Sequence, residues 1–305
     1  MRRYALKRVL LGLITLVGVS VIVFVAIRLS GNPVMLLASP DASQAEIARM
    51  EHELGIDKPI PVQYAIFARN SLKGDFGQST RYHLPALGLV LRRLPATLQL
   101  AVVAFCISIG LGVTIGAISA SKPGSWLDML GKSFASLGQA MPEFWTAIMC
   151  ILIFSVKLGW LPTNGRGGIS HLILPGFALG WFSAASIMRL TRSTMLQVMG
   201  SDFIKTARLK GNPERTVVWR HALRNALIPV VAMGGMQLGR LLGGAVIVET
   251  IFGWPGLGSL ILDGVYSRDY ALVQTGVFVI SGFYILLNLA VDLSYGIIDP
   301  RIRHE

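Results

Sequence analysis

Six apolar runs of roughly 20 residues recur along this chain, and they constrain its fold more than any other feature. They lie at Val9–Ile27, Ala96–Ala120, Ser133–Val156, Leu172–Thr191, Pro229–Phe252 and Leu272–Ser294. A helix of that length crosses the ~30 Å hydrocarbon layer of a bilayer. Only 14% of the 305 residues are charged, too few to clothe a soluble surface of this size. The runs predict an all-α polytopic membrane protein with six transmembrane helices. The first run follows "MRRYALKR" and is followed by "LSGNP" rather than a small-residue cleavage site, so it reads as an uncleaved helix. Arg28 at its far end is placed to snorkel to the interface.

The net charge of +12 would suggest nucleic acid in a soluble protein, but no nucleic-acid motif accompanies it. In a membrane protein, positive charge collects on the cytoplasmic side. Arg2, Arg3, Lys7 and Arg8 place the N-terminus there, and six spans return the C-terminus to the same side. The segment 189–228 carries Arg189, Arg192, Lys205, Arg208, Lys210, Arg215, Arg220 and Arg224 and falls inside; 157–171 and 253–271 are poor in Lys and Arg and fall outside. The long outer segment 30–95 contains "SQAEIARMEHELG", which predicts a short amphipathic helix ending at Gly55, and "DKPIPVQYAIFARNSLKG", a turn and a second amphipathic helix. The organisation expected is an N-terminal helix with its outer segment over 1–95, then a five-helix core over 96–305.

Several chemistries find no support. No G-x-x-x-x-G-K-[ST] phosphate loop is present, so ATP binding by that route is not expected, and "DFG" at Asp75–Gly77 stands without the other kinase motifs. The five histidines are scattered, and Cys106 and Cys150 lie inside apolar runs, so neither a metal site nor a disulfide framework is indicated. No cofactor and no catalytic constellation is expected.

One segment does not fit a bundle of lipid-compatible helices. "DFIKTARLKGNPERTVVWRHALRNALIP", Asp202 to Pro229, holds six Lys/Arg, one His and two acids between two apolar runs. Ser201 or Asp202 can cap a helix of about two turns, Gly211 can close it in the left-handed conformation, and Asn212 can cap a second helix with Pro213 at its first position. Two helices with a sharp corner make a docking element rather than a basic loop resting on anionic lipid.

This segment resembles the cytoplasmic coupling loop of binding-protein-dependent ABC import permeases, in particular the first permease subunit of the peptide/nickel branch. "GDFGQS", "RLPATLQL", "MPEFW", "LGWLPTNG", "MRLTRSTMLQV", "ETIFGWPGLG", "RDY" and "NLAVDLSYGIIDPRIR" agree, so the resemblance covers essentially the whole chain. It implies a type I importer permease fold in the bacterial inner membrane, with the coupling loop over 195–228. It also implies as partners a second homologous permease, two ATP-binding subunits and an extracytoplasmic solute-binding protein. The family's E-A-A-x-x-x-G pattern falls on Lys205, Thr206 and Ala207, with Gly211 at the glycine, so a Lys stands where the family has Glu. By the resemblance, Asp202, Lys205, Thr206, Ala207, Arg208 and Gly211 couple to the ATPase, and Ala207 packs on it. The substrate class it implies ranges over dipeptides, oligopeptides, glutathione, nickel, opines and sugars. A stand-alone secondary transporter is the alternative; the runs show neither inverted repeats nor evident broken-helix pairs.

Two charges fall inside spans. Arg240 lies eleven residues beyond Pro229, and Glu143 eleven beyond Lys132, so the two share a depth; Gln237 is one helical turn before Arg240. A lone Arg at mid-depth costs roughly 2.5–3.5 kcal/mol, so Glu143, Gln237 and Arg240 are expected to face the translocation pathway, where Glu143 and Arg240 either pair directly or Arg240 meets a substrate carboxylate; the alternatives are an ion pair that only packs two helices, and a Glu143 that points into a wet cytoplasmic vestibule. "FGWPGLGS" at Phe252–Ser259 reads as a turn with an interfacial Trp anchor, or as an outer contact for the binding protein. Gly235, Gly239 and Gly243 make a small-residue ridge expected to pack on another helix. The charge argument is checked by single cysteines in a Cys106→Ala/Cys150→Ala background. Lys205→Cys should react with an impermeant thiol reagent only from the cytoplasmic side, and Ala45→Cys only from outside; the reverse pattern would overturn the orientation.

Overall fold

The computed structural model describes residues 2–29, 31, 34, 38, 43–53 and 55–298. The tail of the terminal motif, 299–303, lies outside them. Described elements are helical apart from turns and one isolated antiparallel bridge, Gln78 to Pro85. Two compact units form: Met1–Ala96 with Pro255–Leu289, and Thr97–Trp254 with Ala290–Glu305.

In the first unit, helix α1 (Arg2–Leu29) is followed by α2 (Gln44–Glu53) and α3 (Ile60–Ser71). Both outer helices stand where the amphipathic pattern placed them, and Gly55 takes the left-handed conformation at φ 64°. Phe24 of α1 is fully buried, with Tyr64 edge-on at 5.2 Å and Phe67 at 5.5 Å. Arg28 does not snorkel. Its guanidinium lies 3.4 Å from the Phe24 ring centroid and donates from Nε to Gln63 Oε1 at 2.5 Å. Its planar cation stacks and bonds at once, which the packed aromatics favour over solvation. Helix α11 (Leu257–Tyr266) and α12 (Tyr270–Ile298) as far as Leu289 also belong to this unit. Buried Asp269 accepts from Ser79 Oγ at 2.5 Å and from Leu272 N at 3.0 Å, capping α12 and tying it to the segment after α3.

Helix α4 (Ala86–Ser121) begins ten residues before the expected span and runs on through Pro95. The third expected span is not one helix. It is α5 (Trp126–Ala140) and α6 (Glu143–Cys150), the latter continued by a π-helical segment Ile151–Lys157, with a 110° bend between the halves. Pro142 explains the break: it excludes the preceding residue from helical geometry, and Met141 is extended at φ −89°, ψ 123°. With this pair counted as one span, six apolar crossings are present among the described residues. A broken helix is therefore present, contrary to the sequence reading.

Helix α7 (Ser170–Met199) is longer than its apolar core, so Arg189 and Arg192 are helical rather than loop residues. Helix α8 (Asp202–Leu209) and the short α9 (Glu214–Thr216) follow. A π-helical segment, Val217–Ala222, then joins α9 to α10 (Leu223–Ile251), so the expected second helix and fifth span are one continuous rod through Pro229. The glycine ridge is only partly buried: Gly239 is buried, but Gly243 is exposed and a Cβ there would meet nothing within 4 Å. The close approach lies elsewhere. A Cβ on Gly112 of α4 would stand 2.7 Å from Ile187 Cγ2, and one on Gly180 of α7 would stand 2.6 Å from Ala104 O, so α4 and α7 meet backbone to backbone. Ser108 Oγ seals that contact by donating to Gly180 O at 2.8 Å. Trp254, expected at the interface, is fully buried, with Arg166 5.7 Å above its ring, while its backbone N–H donates to Glu249 O at 2.8 Å.

A sealed ion pair locks the second unit. Asp128, fully buried, accepts from Arg192 Nε at 2.6 Å and Nη2 at 3.0 Å, from Ser119 Oγ at 2.6 Å, from Gly124 N at 3.0 Å, and pairs with Lys132 at 2.9 Å. One carboxylate thus joins α4, α5, α7 and the turn between the first two. Removing one partner of a fully buried pair costs about 3–5 kcal/mol; here the survivor Arg192 keeps 22% of its side chain exposed, so the loss lies at or below the lower end of that range. Asp128→Ala should lower the thermal unfolding midpoint in detergent by several degrees. Asp128→Ala/Arg192→Met should recover most of that loss; equal losses in both would contradict the assignment.

Candidate functional site

The basic segment folds as a hairpin around α8. Ser201 supplies an extended N-cap backbone at φ −76°, ψ 156°, but its hydroxyl turns back to donate to Val198 O. Asp202 accepts from Lys205 Nζ at 2.9 Å. Gly211 adopts φ 79°, the left-handed closure expected of it. Asn212 does not cap the following helix. Its Nδ2 donates to Ala207 O at 2.9 Å and so closes α8, while Pro213 stands at the N-cap of α9. Arg208 crosses the corner to Glu214 through two donations, at 2.7 and 3.1 Å. That bond raises the Arg208 pKa above its ordinary value. So exposed a pair adds little stability, but its forked geometry fixes the angle of the corner.

Alternation of exposure shows what α8 serves. Ile204 is fully buried and Ala207 nearly so, in one apolar cluster with Ala117 and Ala120 of α4, Met195 of α7, and Val217, Ala222 and Ala226 beyond the corner. Ala207 therefore points into this chain's own core rather than outward. Asp202, Lys205, Thr206, Arg208 and Gly211 are exposed, beside Phe203 and Leu209, the latter 88% exposed. The helix has a seated face and a presented face.

The charges placed at mid-span also come together. Arg240 Nη2 stands 3.8 Å from Glu143 Oε1, and its guanidinium lies 3.5 Å from the Phe182 ring centroid. Glu143 is the first residue of α6, immediately after the break, so its position depends on the bend rather than on a straight register. A Cβ on Gly244 would stand 2.8 Å from Glu143 Oε2, so the glycine makes room for the carboxylate. Gln237 is buried while Arg240 is exposed, which divides the expected polar stripe between two environments.

In the second unit, sequence reasoning missed two buried polar links. Thr97 Oγ1 donates to Glu249 Oε1 at 2.5 Å, both residues fully buried, joining α4 to the end of α10. The other is the Asp128–Arg192 pair. A signal was present for it: Asp128 follows the N-cap Ser125 and precedes Lys132 by four residues, on a helix otherwise apolar around it. Among the described residues, no group of three His, Cys, Asp or Glu is disposed to hold a metal.

The family model of the binding-protein-dependent transport system inner membrane component matches residues 112–304, and the model of the N-terminal part of such membrane components matches 1–111. Curated relatives agree over full length on both sides. The dipeptide transport system permease protein of Alkalihalophilus pseudofirmus is 40% identical over 333 residues, covering 100% of both chains. The glutathione transport system permease proteins of Salmonella typhimurium and Escherichia coli are 43% and 41% identical over 307 residues, again covering 100% of each chain. Among solved structures, that of an amino acid ABC transporter with histidines matches with a TM-score of 0.51 at 16% identity, covering 70% of this chain and 94% of that one, a likeness of fold. The chain has the type I permease fold and belongs to the family of binding-protein-dependent transport system inner membrane components, the membrane permeases of ABC importers.

Proposed function

We propose that this chain carries short peptides across the bacterial inner membrane as one of two homologous permease subunits, with both termini cytoplasmic. An extracytoplasmic binding protein delivers the solute, and two separate ATP-binding subunits supply the energy. The peptide class is supported by the dipeptide and glutathione relatives, which match this chain from end to end. The observation that carries the coupling role is the two-faced α8. Its Ile204–Ala207 face is seated among α4, α7 and the start of α10, and its Phe203–Leu209 face is left bare.

In this reading, α8 docks through its presented face on an ATP-binding subunit. Closure of the ATPases pushes α8, and its seated face passes the push to α4 and α7. A helix packed on both sides transmits rigid-body motion; a solvated basic loop would absorb it. The Gly211–Pro213 corner, braced by Arg208 and Glu214, keeps α8 at a fixed angle to the rod that becomes α10. Lys205 presents a cation where the family has Glu, so its contact on the ATPase is with a carboxylate or a carbonyl. Glu143 and Arg240 face the pathway that this chain shares with the second permease.

Leu209→Asp changes only a surface residue and should leave insertion and the thermal midpoint unchanged. It should cut peptide uptake into proteoliposomes at least tenfold and reduce co-purification of the ATP-binding subunits. Gly211→Val forces a β-branched residue to positive φ, at about 1–3 kcal/mol of strain, and should uncouple binding-protein-stimulated ATP hydrolysis from uptake. Normal uptake by both variants would end the coupling assignment.

A further inference from the structure

We propose that Arg240 is a carboxylate-exchange site for short zwitterionic peptides: Glu143 holds the guanidinium between turnovers, and the free carboxylate of the passing peptide displaces it. The proposal rests on the peptide-permease reading above and adds to it a residue-level reason for the substrate class.

Two ion pairs of the second unit, Asp128–Arg192 and Glu143–Arg240, differ in kind. Asp128 and Arg192 are sealed: two donations at 2.6 and 3.0 Å, a fully buried carboxylate, and further donors filling its remaining lone pairs. Glu143 and Arg240 are open. Their approach of 3.8 Å is beyond hydrogen-bond length, and among the described residues no hydrogen bond is made by the Arg240 guanidinium. The Arg240 side chain is 46% exposed and that of Glu143 20%. One face of the guanidinium lies on Phe182, which fixes its plane without using any of its five donors. What remains is a pre-oriented fork with its N–H edge free, the geometry that receives a carboxylate through two parallel bonds.

Energetics favour exchange over simple capture. An Arg held in a span without a counter-charge is costly, and so is a carboxylate. With Glu143 in place, Arg240 is compensated before the peptide arrives, and the arriving carboxylate keeps it compensated. The released Glu143 then meets the ammonium at the other end of the same peptide. The termini of an extended dipeptide are about 7 Å apart, so both charges are met by small movements of two side chains rather than by a change of fold. Gly244, with no side chain, lets the Glu143 carboxylate lie against α10 in the paired position. A peptide with both termini free satisfies both members of the pair; a neutral solute satisfies neither.

The test uses the full assembly in proteoliposomes, with tritiated alanyl-alanine and tritiated glutathione as probes. Binding-protein-stimulated ATP hydrolysis certifies assembly. The charge-exchanged variant Glu143→Arg/Arg240→Glu keeps an ion pair but reverses it. The neutral variant Glu143→Gln/Arg240→Gln removes the pair without leaving an uncompensated charge. The proposal expects uptake to fall at least tenfold in both, with stimulated ATP hydrolysis within twofold of the unaltered assembly. If either variant assembles and transports like the unaltered protein, the pair serves only packing and the proposal is overturned. Should the exchanged variant fail to assemble, the neutral one decides by the same criterion; if it too fails to assemble, the pair is structural and the proposal is likewise overturned. Absence of uptake of both probes by the unaltered assembly would overturn the peptide reading and this site with it. Uptake by unaltered and variant assemblies alike would overturn the site alone.

Discussion

The carboxylate of Asp128 is the point on which the second unit depends. Four separate elements spend donors on it: Ser119 from α4, Gly124 from the turn, Lys132 from its own helix and Arg192 from α7. Apolar side chains have little preference for one another over lipid, so helices inside a bilayer need packing detail and polar links to choose their neighbours. Here the choice is made twice. Glycines let the α4 and α7 backbones touch, and the ion pair then fixes which end of α5 joins them. Beside this lock lies the apolar cluster that seats α8, built from the ends of the same α4 and α7. The hairpin inherits its rigidity from that shared base.

The break at Met141–Pro142 serves a different end. A straight third span would put Glu143 mid-helix, with its carboxylate direction dictated by register. The 110° bend instead makes it the first residue of a new helix. There it reaches α10 and meets Arg240, and the pair so formed stays open. One unit therefore contains a sealed ion pair and an open one. The first suits a part that must not move and the second a part that must let go.

The broad architecture was legible because it depends on composition along the chain. Apolar runs of bilayer length gave the crossings, and amphipathic spacing gave α2 and α3. The Lys205–Gly211 stretch gave α8 with its left-handed close. What failed were statements about partners in space. Asn212 looked like a cap for the helix after it, yet its amide closes the helix before it, because Gly211 turns the chain back over Ala207. Ala207 carried the family's small residue, and a small residue fits against a partner or against the chain's own core equally well; the structure chose the core. Trp254 looked like an interfacial anchor, but Arg166 and the surrounding turn enclose it. Shared depth made a Glu143–Arg240 pair one of several possibilities, and the structure brings the two to 3.8 Å across a helix that is broken at Pro142.

The central claim is that α8 is a rigid extension of α4 and α7, so that a push on its presented face moves all three together. Spin labels on Lys122→Cys, just past the end of α4, and Thr206→Cys, on the presented side of α8, measure this across the cluster. The distance distribution should be unchanged between the nucleotide-free assembly and the assembly trapped with ATP, while ATP still drives uptake by the labelled protein. A shift of several ångströms between the two states would show α8 hinging on its base, and would contradict the account.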